Sequence, residues 1–90
     1  MGRMKLAQTT QFKKDIKRMQ KRGKDLAKIK TVIDILLAEE PLHPKNRDHQ
    51  LAGNWIGRRD CHIEPDWILI YKPTEDELLL ERTGTHSDLF

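Results

Sequence analysis

A single cysteine, Cys61, stands in the 90 residues, so no disulfide closes within the chain, and no Cys-x-x-Cys pair supports a redox centre or a four-cysteine zinc site. A reducing cytoplasm is the expected setting. The longest uninterrupted apolar run, Trp67 to Tyr71, falls far short of the roughly 20 residues a membrane helix needs, so no membrane partner is expected. The N-terminus lacks the apolar region of a signal peptide, and Leu6 stands where a myristoylation signal wants Ser or Thr. Met1–Arg3 are given no function. A chain this short buries one modest core, which makes residues 1–90 a single domain.

Net charge is only +3, but its distribution is uneven. Residues 1–30 carry eleven Lys/Arg against two Asp, whereas residues 31–90 carry six against twelve acids. A basic segment with that excess attracts polyanions, chiefly nucleic acid, through phosphate neutralisation and counterion release. The plainer alternative is a solvated helix face.

After a short strand around Met4 to Ala7, Thr9 or Thr10 can cap a helix whose apolar positions Phe12, Ile16 and Met19 recur at helical spacing. Its other face is almost all Lys and Arg, including Lys13, Lys14, Lys17 and Lys21. Gly23 suits the left-handed residue that ends such a helix, and a second helix begins near Asp25 with a stripe of Leu26, Ile29, Val32, Ile33, Leu36 and Leu37. Residues 39–54, broken by Pro41, Pro44 and Gly53, read as one long irregular loop. Three strand-like runs follow, Trp55 to Ile63, Trp67 to Lys72 and Glu77 to Thr83, with connections short enough for an antiparallel meander. The expected class is α+β, in the order β-α-α-β-β-β, with both helices packed on one face of an antiparallel sheet.

Strand parity assigns Cys61, Ile63, Trp67, Leu69, Tyr71, Leu78 and Leu80 to the helix-covered face. Asp60, His62, Ile68, Ile70 and Glu81 fall on the other, a half-polar face suited to shallow binding or plain solvation. At one edge of the meander gather His62, Asp66, Arg82 and His86, with His49 within reach from the loop. Histidines give and take protons near neutral pH, so several together suit general acid-base chemistry. RNA supplies its own nucleophile, the 2′-hydroxyl, and needs from an enzyme only a base, an acid and positive charge at the phosphorus. Each residue also has a plainer role. Asp66 can simply form the turn after Pro65, Arg82 can pair with Glu64 or Glu81, and Phe90 is either a frayed tail or a stacking platform for a base. Simple pairing even turns Arg82 toward the helices, and only a bulge or an edge position frees it. His43 is assigned nothing. No HExxH or similar ligand spacing is present, and no metal is expected.

The run Asp48-His49-Gln50-Leu51, then Gly53-Asn54-Trp55, then residues 59–71 (RDCHIEPDWILIY) and 81–90 (ERTGTHSDLF) closely resembles the YafQ toxins, a branch of the RelE superfamily. The helix FKKDIKRMQKRG is similar in style to that family's basic first helix, so nearly the whole chain is covered. The resemblance implies a RelE-like fold, a ribosome-dependent endonuclease acting on messenger RNA without a cofactor, and an antitoxin partner. It implies a chain that is monomeric when free and hetero-oligomeric with its antitoxin. By position, His49, His62, Asp66 and His86 match the family's catalytic set, while Trp67, Arg82 and Phe90 match residues that line the site and support the RNA. Within that set His86 is expected as general acid, Asp66 or His49 as base, and His62 and Arg82 as phosphate stabilisers. The basic helix can serve ribosomal RNA, the antitoxin or both. Two rivals stand: a gyrase poison of the ParE branch, and a non-catalytic module that only binds RNA or ribosomes.

Overall fold

The computed structural model describes residues 4–90; Met1–Arg3, given no function above, lie outside the described residues. Strand β1 (Lys5–Gln8) leads into helix α1 (Thr10–Lys21) and helix α2 (Leu26–Leu37). The Thr9 hydroxyl accepts the Phe12 N–H at 2.9 Å and Asp25 accepts that of Ala27 at 3.0 Å, so each helix has a side-chain cap. Gly23, at φ +85°, turns the chain between them. Strands β2 (His49–Gln50), β3 (Arg59–Glu64), β4 (Trp67–Pro73) and β5 (Glu77–Gly84) follow, and a short helix α3 (His86–Leu89) closes the chain. Among the described residues, no helix is long and apolar enough to cross a membrane.

The sheet runs β1-β5-β4-β3-β2. The expected meander of β3, β4 and β5 is antiparallel, but the sheet as a whole is mixed, because β1 lies parallel to β5 at its edge. Helices α1 and α2 and strands β2, β3 and β4 intervene between those two strands, long enough a crossover for parallel pairing. Three further features depart from expectation. The strand expected from Trp55 starts only at Arg59, since Gly53 and Gly57 take φ +63° and +86° and hold Trp55 in a one-turn 3-10 helix. The loop at 39–54 contains a second such turn at Pro44–Asn46 and the two residues of β2. Helix α3 was not anticipated at all.

The helix-covered core joins Phe12, Met19, Ile29 and Val32 to Cys61, Trp67, Leu69, Tyr71, Leu78 and Leu80, as parity requires, with Ile63 half-buried beside them. The opposite face is not an open half-polar surface. Ile68 and Ile70 are completely buried there beneath Leu51, Trp55 and Leu89. Side chains of this size gain about 1.5–3 kcal/mol each on full burial, enough to seat the 49–55 loop and α3 on the sheet.

Candidate active site

Register builds the site. In one row across the sheet His49 lies opposite Asp60, Asp60 opposite Ile70, and Ile70 opposite Arg82; two residues along, His62 lies opposite Ile68 and Ile68 opposite Gly84. His49, Asp60, His62 and Arg82 are thereby brought around the two buried isoleucines, with His86 and Phe90 carried in on α3. The His62 and His86 rings are 5.9 Å apart between centroids, as are those of His86 and Phe90. Phe90 is 58% exposed, so a face of that ring is open to a base.

The three imidazoles are tied alike. Nδ1 of His49 lies 2.8 Å from the Arg47 carbonyl, Nδ1 of His62 lies 3.1 Å from the Pro65 carbonyl, and Nδ1 of His86 lies 3.3 Å from an Asp66 oxygen. Each partner only accepts, so the network places the proton of the neutral ring on Nδ1 and the lone pair on Nε2. Among the described residues, no hydrogen bond uses Nε2 of any of the three. The same Asp66 oxygen accepts the His86 backbone N–H at 3.0 Å, and that bond, with the ring's, holds the Asp66 carboxyl below the usual carboxylate range.

Asp60 is a component the sequence reading passed over. It is 4% exposed, and burial raises its pKa against the opposing charges of His49, His62 and His86. His49 Nδ1 approaches Asp60 Oδ1 to 3.0 Å, yet that ring N–H is committed to the nearer Arg47 carbonyl, and Oδ1 is left without a hydrogen bond. The period-2 spacing of Asp60 from His62 on the same strand was the available signal.

Both devices that the sequence could not supply act on Arg82, but its guanidinium still turns to the helix layer. A bulge shifts the register between Ile70 and Tyr71, so that Arg82 rather than Glu81 lies opposite Ile70, and β1 ends before reaching this part of β5. The guanidinium pairs neither with Glu64, which binds Lys24 and Lys28, nor with Glu81, which binds Arg58. It binds Asp15 of α1, with Nε at 2.7 Å and Nη2 at 3.2 Å. Asp15 is completely buried and also accepts from the Thr83 N–H, Gln11 and Arg18. Burial opposes its ionisation, but Arg82, Gln11 and the Thr83 N–H together outweigh it and lower the pKa.

Trp67 is a correction. Expected among the residues that line the site and support the RNA, it is completely buried in the helix-side core with Nε1 donating to the Thr83 hydroxyl at 2.9 Å, so it offers a bound chain no direct contact. Lys13, Lys14, Lys17 and Lys21 are exposed along α1 and, among the described residues, enter no ion pair. His43 does have a job, since its Nδ1 accepts the Lys45 N–H and starts the 3-10 turn. Asp48 holds the backbone beside His49 through the Tyr71 hydroxyl and Arg59. A cleft of about 460 Å³ opens beside His62, flanked by Lys45 and Arg47. Among the described residues, no group of three or more His, Cys, Asp or Glu has a metal-binding arrangement.

A family model described as a bacterial toxin of type II toxin-antitoxin system, YafQ, matches residues 4–90. The mRNA interferase toxin YafQ of Escherichia coli is 52% identical over 81 residues, which cover 89% of this chain and 88% of that protein. A chain in the crystal structure of the E. coli DinJ-YafQ toxin-antitoxin complex superposes with a TM-score of 0.92 at 47% identity, covering 98% of both. A metal-bound toxin from Helicobacter pylori superposes with a TM-score of 0.91 at 39% identity, over 97% of this chain and 99% of that one.

Proposed function

This chain belongs to the YafQ family of type II toxin-antitoxin toxins, and from that premise we propose that it is an mRNA interferase: an endoribonuclease that cuts messenger RNA on the ribosome by metal-independent acid-base chemistry. The observation that carries the reading is the common tethering of His49, His62 and His86 through Nδ1, which among the described residues leaves three Nε2 atoms without a hydrogen bond, with the exposed Phe90 ring next to His86.

The chemistry needs little more. A base takes the proton of the RNA 2′-hydroxyl, the O2′–P bond forms, the P–O5′ bond breaks, and an acid protonates the departing 5′-oxygen, leaving a 2′,3′-cyclic phosphate. His86 suits the acid, because the Asp66 carboxylate at its Nδ1 stabilises the imidazolium that gives up the proton. Asp66, kept ionised by that same contact, is a weak base, which favours His49 in that role. His62 and Arg82 offset the charge gathering on the phosphorus, and Asp15 limits how far Arg82 moves. Phe90 stacks on a base next to the cut, and the cleft flanked by Lys45 and Arg47 has room for the neighbouring nucleotide.

The exposed lysines of α1 bind ribosomal RNA in this account, and a cognate antitoxin neutralises the chain, as the E. coli relative was solved in complex with one. The chain is cytoplasmic, monomeric when free and hetero-oligomeric with its antitoxin. The test is cleavage of a ribosome-bound message by purified protein that has been stripped of bound metal with EDTA and then exchanged into the magnesium buffer the ribosome needs. Cuts that persist after stripping, vanish with a 2′-deoxy nucleotide at the cut site, and vanish in His86→Ala while ribosome affinity is kept support the enzyme. Affinity without cutting would favour the non-catalytic binding module.

A further inference from the structure

Helix α1 ends at Lys21, and Arg22, its C-cap, turns away from the basic stripe to grip Asp88 on α3. The grip is two-pronged: Nη1 to Oδ2 at 2.6 Å and Nη2 to Oδ1 at 3.1 Å, the planar fork geometry that a guanidinium makes with a carboxylate. Arg18, one turn earlier, stands 4.0 Å from the same Oδ2.

Asp88 in turn holds α3 together. Its Oδ2 accepts the Thr85 backbone N–H at 2.9 Å, and its own N–H reaches the Thr85 hydroxyl at 3.2 Å, a reciprocal capping box. Arg22 first, and the Thr85 N–H after it, keep this carboxyl well below the usual carboxylate range. The helix so started opens with His86 and is followed by Phe90. Four residues cannot sustain a helix alone, since isolated helices under ~12 residues are marginal in water. Order in α3 therefore comes from three attachments: Leu89 against Ile68 and Ile70, the Asp66 oxygen on the His86 N–H, and the Arg22 grip, the one that holds its capping carboxylate. Gly84 permits the close seating, because a Cβ there would stand 2.9 Å from that of Asp88.

We propose that Arg22 is a positioning residue for the cleavage reaction: by gripping Asp88 it fixes the helix that presents His86 and Phe90 to the RNA. This rests on the reading of His86 as catalytic. It separates Arg22 from the lysines of the same helix, whose charges are free for polyanions; the Arg22 charge is spent inside the molecule. Small displacements of an acid-base group cost large factors in rate, so loss of the grip lowers turnover rather than affinity.

The experiment compares Arg22→Ala, Arg22→Lys, Asp88→Asn and the Ala/Asn double variant, reading kcat and KM for cleavage of a ribosome-bound message. Amide hydrogen exchange over residues 85–90 is followed in the same proteins. Asn at 88 keeps an oxygen for the Thr85 N–H, so the box survives while the charge pair is lost. The expected result is a kcat lower by about tenfold in Arg22→Ala and in Asp88→Asn. KM and melting temperature stay nearly unchanged, Arg22→Lys retains part of the rate, and the double variant is no worse than the poorer single one. Exchange over 85–90 accelerates in each variant that breaks the grip. A rise in KM with a shallower salt dependence and unchanged kcat would make Arg22 an RNA contact and overturn the proposal, as would multiplicative losses in the double variant or exchange that does not move. If the parent protein itself does not cut RNA, the enzyme reading fails, while the exchange rates still judge the grip.

Discussion

Replacing Asp15 by Asn changes one atom at the most densely bonded carboxylate among the described residues. Oδ2 holds Arg82 Nε and the Thr83 N–H, at 2.7 and 3.1 Å, while Oδ1 holds Gln11, Arg18 and Arg82 Nη2, at 3.0, 3.0 and 3.2 Å. An amide keeps one oxygen for the first pair and turns an NH2 toward three donors. Breaking a buried ion pair costs 3–5 kcal/mol, and because Arg82 and Arg18 are partly exposed and can turn to water, the lower end applies: about 3 kcal/mol. For a domain this small that lowers the melting temperature by roughly 12–24 °C. The sign with pH is fixed by the lowered pKa: the carboxylate stabilises the fold above the unfolded pKa of about 4, and that contribution is lost as pH falls through the folded value. Thermal melts of parent and variant, from neutral pH into acid, should show a wide gap that closes progressively below about pH 4. A gap under about 1 kcal/mol at neutral pH, or one that stays constant in acid, refutes the assignment of Asp15 as an ionised anchor.

Asp60 behaves oppositely, since burial raises its pKa and its ionised form costs folded stability above the unfolded value. Asp60→Asn should therefore melt no lower than the parent at neutral pH, with an advantage that grows from about pH 4 upward; a lower melting temperature at neutral pH contradicts this. Cys61 is fully buried with its thiol pushed up, so alkylation of the native protein should be at least ~10³-fold slower than in denaturant, and rapid native labelling would sink the placement. Reversing Lys13, Lys14, Lys17 and Lys21 to Glu should weaken ribosome binding and reduce its log-log salt slope by up to about 3. Binding that is unchanged at low and high salt would show that the stripe is only a solvated face.

Much of the fold was legible because it rests on local periodicity. The two capped helices, the meander and the helix-side face from Cys61 to Leu80 all follow from spacing alone. What escaped is non-local. The parallel pairing of β1 with β5 depends on where two helices leave the chain, and no residue in either strand encodes it. The bulge that puts Arg82 opposite Ile70 leaves no Gly or Pro signature, so neither the face of Arg82 nor its pairing with Asp15 could be read. Asp15 itself was hidden in a run of Lys and Arg that looked like one solvated stripe. Helix α3 was readable in principle, since Thr85 and Asp88 have capping-box spacing, but four residues carry no periodicity. The second buried face was missed because Ile68 and Ile70 alternate with core residues, and their covers, Leu51, Trp55 and Leu89, lie in segments without regular pattern. Of the expected site residues, His62, Asp66, His86 and Phe90 are brought together, register sets His49 and Arg82 on the same sheet face, and Trp67 is buried on the other.

The most direct test of the central claim expresses this chain and its His86→Ala variant in bacteria and maps the 5′ ends of a reporter message by primer extension. Growth arrest with new ends inside the translated region, both lost in the variant, is the predicted result. Arrest without new ends, or arrest that survives the substitution, would contradict a ribonuclease that works through His86.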